Sequence, residues 1–445
     1  MDVCVVGTGY VGLVTAACLA DLGHKVIGID HDTEKISMLE EGKVPIYEPG
    51  LQKLVTRNRK RKRLSFGSDL QYGVEKSTVI FICVNTPPLE TGESDLSAVA
   101  NVSKGIARWK NGYKLVVSKS TVPVETGKWI KRTIKRYSKS NGSFDVASNP
   151  EFLREGRAVH DFFYPERIVL GVESKRAERI LRKLYAKIKT QVLVTDIESA
   201  ELIKHASNSF LATKISFVNS LARICDAVGA NILEVTKGMG LDSRIGHRFL
   251  HAGIGFGGFC FPKDLSALIH IGEKNNVDLK ILQAARAIND EQVFYFLEHV
   301  KRPFGSLAGL NIAVLGLTFK PHTDDLRYAP ALKMIDELLD QGAHIRAYDP
   351  VAMDKARKLL PEQVHFADSP YLAVTGSDAV VLVTEWPQLL KLDFRKVKRL
   401  VRRPFLFDGR NAWPKDALVK MGFRYAGVGV QGMAYKTSRS RSRAR

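Results

Sequence analysis

Cys260 has the setting of a nucleophile. The stretch Gly253-Ile254-Gly255-Phe256-Gly257-Gly258-Phe259-Cys260-Phe261-Pro262-Lys263-Asp264 puts four glycines before the cysteine and a proline two residues after it. Pro262 suits the first turn of a helix, so Cys260 falls close to a helix N-terminus, where partial positive charge and the adjacent Lys263 favour the thiolate. A thiolate there can attack an electron-poor carbon and hold the product covalently. The alternative is a small apolar residue packed under a glycine loop. The glycines, which permit close approach of a ligand, and the lysine favour the nucleophile.

Other residues have types that would serve such a nucleophile. In Glu201-Leu202-Ile203-Lys204-His205-Ala206-Ser207-Asn208, Lys204 and Asn208 lie four apart on one face of a predicted helix. Both are donors able to stabilise an alkoxide, a tetrahedral intermediate or a phosphate, against the plain alternative of an exposed polar stripe. His205 points elsewhere on that helix and reads as structural. Thr121, in a loop after a predicted strand, and Glu151, after another, sit where doubly wound sheets gather ligands. They are candidates for positioning water or abstracting a proton; a helix N-cap and a surface carboxylate are the plainer readings.

A separate constellation concerns a cofactor. Gly7-Thr8-Gly9-Tyr10-Val11-Gly12 follows a strand and opens a helix, and Asp30 closes the next strand eighteen residues after Gly12. Such glycines allow a tight turn and let N–H groups approach a pyrophosphate, while the acid accepts from a ribose 2′-hydroxyl. Asp30 would repel a 2′-phosphate, which favours NAD over NADP; Lys35 weakens that preference.

The elements that must carry these residues alternate. Strand, helix and strand run from Val3 to Asp30, with further strand-like runs at Val79 to Val84, Leu115 to Ser118 and Phe144 to Ala147. Helical periodicity dominates Ala200 to Ala227 and Leu279 to Val300, and a second βαβ unit follows: Asn311 to Gly316, a helix near Ala331 to Gln341, and His344 to Asp349, with a strand at Ala379 to Thr384 beyond. The expected fold is α/β, with two Rossmann-like doubly wound domains joined by a central helical segment. The expected boundaries are 1–196, 197–300 and 301–430, with a basic Ser/Arg tail at 431–445 expected to be disordered.

Bulk properties bound the rest. A chain of 445 residues with 45% hydrophobic content can bury more than one core. No run reaches the ~18 apolar residues of a membrane span, and the apolar start lacks a basic leader, so a cytoplasmic protein is expected. The five cysteines form no CxxC pair, which argues against a zinc knuckle or disulfide framework; no metal is expected. Cys4, Cys18, Cys83 and Cys225 read as buried, inert thiols. A net charge of +20 suits an anionic ligand or nucleic acid, but much of it is local, in Arg57 to Arg63 and in the tail, without interleaved stacking aromatics. Nucleic-acid binding on a relic Rossmann domain is thus a disfavoured alternative.

Taken together, VCVVGTGYVGL, IYEPGL, STVPVETG, SNPEFLREG, ELIKHASNSFLATKISF, GLDSRIG, FLHAGIGFGGFCFPKD, GLTFKPHTDDLR and YDP resemble the UDP-glucose 6-dehydrogenase family, within the nucleotide-sugar dehydrogenases. The resemblance covers nearly the whole chain. It implies NAD-dependent, twofold oxidation of UDP-glucose at C6 to UDP-glucuronate, supplying uronate for polysaccharide synthesis. Cys260 matches the residue that forms a thiohemiacetal and then a thioester; Lys204 and Asn208 match the pair that stabilises the oxygen anion. Glu151 and Thr121 match residues around the water, and Asp264 matches the acid after the cysteine. The implied cofactor contacts are Gly7, Gly9, Tyr10, Val11, Gly12, Asp30, Lys35, Thr86, Thr121, Glu155, Lys263 and Arg327. The implied substrate contacts are Glu151, Phe152, Leu153, Arg154 and Glu155, then Phe249, Leu250, His251, Ala252 and Gly253, with Lys204, Asn208, Arg244, Gly257 and Lys320. The helical middle is implied to form a homodimer and the last domain to receive the UDP end. Glu125 replaces the family's more usual glycine, and Phe259 stands where Ser or Tyr is common. GDP-mannose or a UDP-N-acetyl-hexosamine is the rival substrate; a single-step hydroxy-acid dehydrogenase would need neither Cys260 nor a second nucleotide-binding half.

Overall fold

Val79-Ile80-Phe81-Ile82 is apolar and buried at every position, the mark of a parallel strand covered on both faces. The computed structural model describes residues 1–89, 91–138 and 142–430, so the Ser/Arg tail lies outside the described residues. These form two compact units, one of Met1–Ser209 with Lys263–Leu279, the other of Phe210–Pro262 with the chain from Lys280 onward.

The first unit is built on β1 (Asp2–Val6), β2 (Lys25–Ile29), β3 (Leu64–Gly67), β4 (Val79–Ile82), β5 (Lys114–Ser118), β6 (Phe144–Ser148), β7 (Arg167–Val172) and β8 (Gln191–Thr195). They hydrogen-bond in the order β3-β2-β1-β4-β5-β6-β7-β8. All neighbours are parallel except β6 and β7, so the last two strands run against the first six. Alternate β1 residues feed two cores: Val3 and Val5 join Leu13, Leu39 and Phe81, while Cys4 and Val6 join Ile80, Ile106 and Ile130.

The second unit holds β9 (Asn311–Leu315), β10 (His344–Tyr348), β11 (His365–Phe366), β12 (Ala379–Leu382), β13 (Phe405–Asp408) and β14 (Arg424–Gly427), all parallel, in the order β11-β10-β9-β12-β13-β14. Both sheets thus carry the doubly wound 3-2-1-4-5-6 order, whose switch point beside the first strand receives ligands. The expected α/β class with two Rossmann-like halves and a helical middle is what the molecule shows. Ile197–Val228 is a single helix, as are Cys260–Lys274 and Lys280–Lys301.

Candidate active site

The glycine turn after β1 is shaped by contact on two sides. Gly7 has φ of +94°, and a Cβ there would meet the Cys83 carbonyl oxygen at 2.6 Å. A Cβ on Gly12 would meet the Gly7 oxygen at 1.8 Å, which fixes how tightly the Tyr10–Asp21 helix packs on the turn. Gly9 differs: its nearest neighbour would be Asn85 Oδ1 at 3.9 Å. The open glycine at a helix N-terminus leaves a place for a pyrophosphate. Asp30 is buried at the end of β2, with Oδ2 accepting from the Thr8 backbone N–H at 2.7 Å and hydroxyl at 2.9 Å, and from Lys35 Nζ at 3.3 Å. Burial raises its carboxyl, but the Thr8 and Asp32 hydrogen bonds and Lys35 outweigh it, and Asp30 lies below the usual carboxylate range. These residues fit NAD. Thr86 donates its hydroxyl to the Thr121 carbonyl at 2.8 Å, which joins two loops beyond the ends of β4 and β5.

A second cluster in the same unit is buried and charged. Lys204 Nζ lies 2.8 Å from Glu151 Oε1, with side chains only 5% and 6% exposed, and 5.6 Å from the Phe152 ring centre. One helical turn on, Asn208 donates Nδ2 to Asp264 Oδ2 at 2.5 Å, and Asp264 Oδ1 is 2.7 Å from Lys263 Nζ. Burial pushes the Asp264 carboxyl up, but Lys263, Lys204 and His205 hold it below its ordinary value. Glu151, Lys204, Asn208, Lys263 and Asp264, chosen from sequence as separate candidates, thus meet in one place. Arg154 is exposed and folds back along its own loop, with Nε and Nη2 at 2.8 and 2.7 Å from the buried Asp161 carboxylate. Leu153 donates its N–H to Glu151 Oε2 at 2.6 Å, and Glu155 is half-buried beyond it.

Three supports of this cluster carried no role in the sequence reading. Lys119 is buried behind it, donating to Asn149 Oδ1 at 3.1 Å; Asn149 also accepts from Tyr185 at 2.6 Å and donates to Val169. Burial lowers the Lys119 ammonium to about 8. Glu201 accepts the Glu125 and Gly127 N–H groups, both at 2.8 Å, and burial raises its carboxyl to about 8. His205, read as structural, donates Nε2–H to the Val122 carbonyl at 2.8 Å, next to Thr121. Glu201 and His205 are one turn apart on the helix that carries Lys204 and Asn208, so one helix holds the Thr121 loop and lines the charged cluster. Glu125 itself has φ of +76°, which explains why glycine suits that position.

Cys260 is the first residue of the Cys260–Lys274 helix, as Pro262 predicts, and is partly exposed. The glycine loop before it, in the second unit, is held by protein atoms. Gly253 donates its N–H to Asn219 Oδ1 at 2.9 Å and accepts at its carbonyl from Gln292. A Cβ on Gly257 would lie 2.1 Å from the Tyr328 carbonyl oxygen, so these glycines serve close backbone packing as well as any ligand. Phe249 has φ of +64°, Leu250 and Ala252 are buried, and His251 is exposed. Arg327 stacks 4.4 Å over Phe259 and pairs with Asp325, which gives Phe259 a place in the fold; Lys320 lies over Phe319. Arg244 is exposed and pairs with Asp242 two residues back.

A doubly wound sheet with an open glycine turn and a buried acid at the end of its second strand, followed by a second doubly wound sheet, is the framework of a dinucleotide-dependent dehydrogenase. Family models for the UDP-glucose/GDP-mannose dehydrogenase family match along the chain: the NAD binding domain over 1–189, the central domain over 198–291 and the UDP binding domain over 313–415. UDP-glucose 6-dehydrogenase TuaD of Bacillus subtilis is 46% identical over 96% of this chain and 93% of its own. Among solved structures, a UDP-glucose dehydrogenase from the archaeon Pyrobaculum islandicum superposes with a TM-score of 0.90 at 37% identity, covering 96% of this chain and 98% of that one. A UDP-D-ManNAc dehydrogenase from Pyrococcus horikoshii does so with 0.84 at 28% identity, covering 96% and 99%. The chain belongs to the UDP-glucose/GDP-mannose dehydrogenase family, and it is an NAD-dependent oxidoreductase.

Proposed function

We propose that this chain oxidises UDP-glucose at C6 to UDP-glucuronate, through a covalent intermediate on Cys260. The observation that carries the reading is the buried meeting of Glu151 with Lys204 and of Asn208 with Asp264. It offers a carboxylate to order water and two donors to hold an oxyanion, the two needs of an alcohol that becomes an acid. The higher identity to UDP-glucose enzymes than to the UDP-D-ManNAc enzyme favours glucose as the sugar.

NAD, when bound, supplies the hydride acceptor for each of the two oxidations. The C6 hydroxyl gives its proton to water ordered by Thr121 and Glu151 as C6 gives up the first hydride, leaving an aldehyde. The Cys260 thiolate adds to that aldehyde, and Lys204 and Asn208 steady the resulting oxygen anion. Loss of the second hydride makes this thiohemiacetal a thioester. Water then breaks the carbon–sulfur bond, giving the carboxylate and returning the thiol. In sum, one water enters and four electrons leave as two hydrides. Holding the aldehyde on sulfur keeps it from escaping between the steps.

The cofactor set runs from Gly7 to Gly12 with Asp30, Lys35, Thr86, Thr121, Glu155, Lys263 and Arg327. The sugar nucleotide meets 151–155 and, in the second unit, Arg244, 249–253, Gly257 and Lys320, with residues 301–430 taking the UDP end. The central segment 197–300 pairs with a second copy. In its support, Phe210, Phe217, Ile224 and Val228 lie on one stripe of the long helix and are 65%, 52%, 57% and 71% exposed. The compartment we propose is the cytoplasm, where buried thiols such as Cys4 and Cys83 stay reduced. Among the described residues no helix is long and apolar enough to cross a membrane. The product would supply uronate for polysaccharide synthesis.

The test is to offer UDP-glucose, GDP-mannose and UDP-N-acetylmannosamine separately with NAD and count NADH formed per sugar. Two equivalents from UDP-glucose are expected. Two from either rival and none from UDP-glucose would overturn the reading.

A further inference from the structure

We infer that Glu48 is a positioning residue that ties the dinucleotide turn to the sugar-nucleotide loop, so that each ligand tightens the binding of the other. The inference rests on the assignment of those two regions under Proposed function.

Glu48 is buried in Tyr47-Glu48-Pro49-Gly50, just before the helix Leu51–Lys60. Its Oε2 accepts the Tyr10 hydroxyl and, at 2.7 Å, the Gly156 N–H; its Oε1 accepts the Val159 N–H at 3.2 Å. The Gly156 N–H also reaches the Tyr10 oxygen at 2.8 Å, which closes a three-membered network. Tyr10 is the first residue of the helix whose N-terminus faces the open glycine, and Gly156 directly follows Glu155. Inside the loop, Arg154 and Asp161 brace 154–161 as a piece. A rigid loop, anchored by one carboxylate to the first turn of the cofactor helix, cannot shift without moving Tyr10. Burial and the neighbouring Glu48 raise the Tyr10 hydroxyl, so it keeps its proton and remains the donor. A ligand that settles the loop therefore settles the turn, and the coupling must be equal in both directions.

NADH can be titrated into the full chain without and with saturating UDP-glucose, a pair that does not turn over. In the unmodified chain UDP-glucose should tighten NADH by about fivefold or more. In Glu48→Gln, whose amide N–H must face either the Gly156 or the Val159 N–H, the ratio should fall toward one while NADH alone binds within about threefold. Tyr10→Phe, which removes a single oxygen, should lower the ratio in the same direction and keeps the test open if Glu48→Gln folds poorly. A purely structural role would weaken both affinities and leave the ratio intact. A ratio unchanged in both variants, or already near one in the unmodified chain, would overturn the coupling. The catalytic reading is judged apart from this, by NADH formed per UDP-glucose in the unmodified chain.

Discussion

The two units repeat one backbone device and put it to different ends. Gly7 follows β1 with φ of +94° and donates to the Ile29 carbonyl; Gly316 follows β9 with φ of +85° and donates to the Tyr348 carbonyl. Asp30 after β2 accepts from Thr8, and Asp349 after β10 accepts from the Leu317 and Thr318 N–H groups. Beyond that point they part. In the first unit a helix starts at Tyr10, three residues after the glycine, which aims its N-terminal N–H groups at the turn. In the second, the next helix starts at Pro330, and a loop carrying Lys320 and Arg327 intervenes. Asp349 also accepts from Trp386 Nε1 at 3.1 Å and is 1% exposed, so its carboxylate is spent within the fold. The shared scaffold thus leaves a helix end beside an open glycine in one unit, and in the other places a long loop that carries Lys320 and the Asp325-paired Arg327. The ends of the fifth strands differ as well: buried Lys119 follows β5, whereas buried Asp408 ends β13.

This division can be broken in several places. Since Cys260 belongs to the second unit and the glycine turn to the first, Cys260→Ser should cut two-hydride turnover by on the order of 10³-fold while NAD binding changes by less than about threefold. Loss of NAD binding with the sulfur would contradict the separation. The two acids should also respond differently. Asp349→Ala strands buried donors, and urea unfolding should show a loss of about 3 kcal/mol. Asp30→Ala should instead weaken NAD by about tenfold with a smaller loss of stability; equal responses would erase the distinction.

Lys119 adds a pH signature. Its folded pKa, lowered by burial to about 8, lies below the ordinary lysine value of 10.5. Between those values the unfolded chain binds more protons, so stability rises with pH, at steepest by about 1.4 kcal/mol per pH unit, and is smallest below the folded pKa. Lys119→Met should remove that slope, visible as the difference between unfolding curves of the two chains from pH 7.5 to 10. Parallel curves would show that burial does not perturb this lysine. The smallest effect concerns Glu125, whose left-handed backbone costs about 1 kcal/mol. Glu125→Gly should raise stability by roughly 0.5 kcal/mol after its own entropy cost, read as a small rise in Tm with the Glu201 hydrogen bonds kept.

What could be read in advance follows a physical line. The glycine turn, Asp30 and the helix start at Cys260 are local, fixed by a few adjacent residues, and the sequence carried them plainly. β7 and β8 were not anticipated, because their pairing, antiparallel to β6, is a long-range choice that apolar runs do not reveal. Glu48 stood inside a quoted motif yet its partners Gly156 and Val159 lie 108 and 111 residues away, where no spacing rule reaches. Arg154 shows the limit in the other direction: a cation chosen for a ligand is engaged by Asp161, seven residues on. Glu125, odd against its family, became intelligible only through its backbone angle.

The most direct measurement is to mix the unmodified chain with UDP-glucose and NAD, quench within the first turnover, digest, and locate any sugar nucleotide on the peptides by mass. The account predicts the adduct on the peptide that contains Cys260, rising before UDP-glucuronate is released. A chain that makes two NADH per UDP-glucose while Cys260 stays unmodified at every quench time would contradict it.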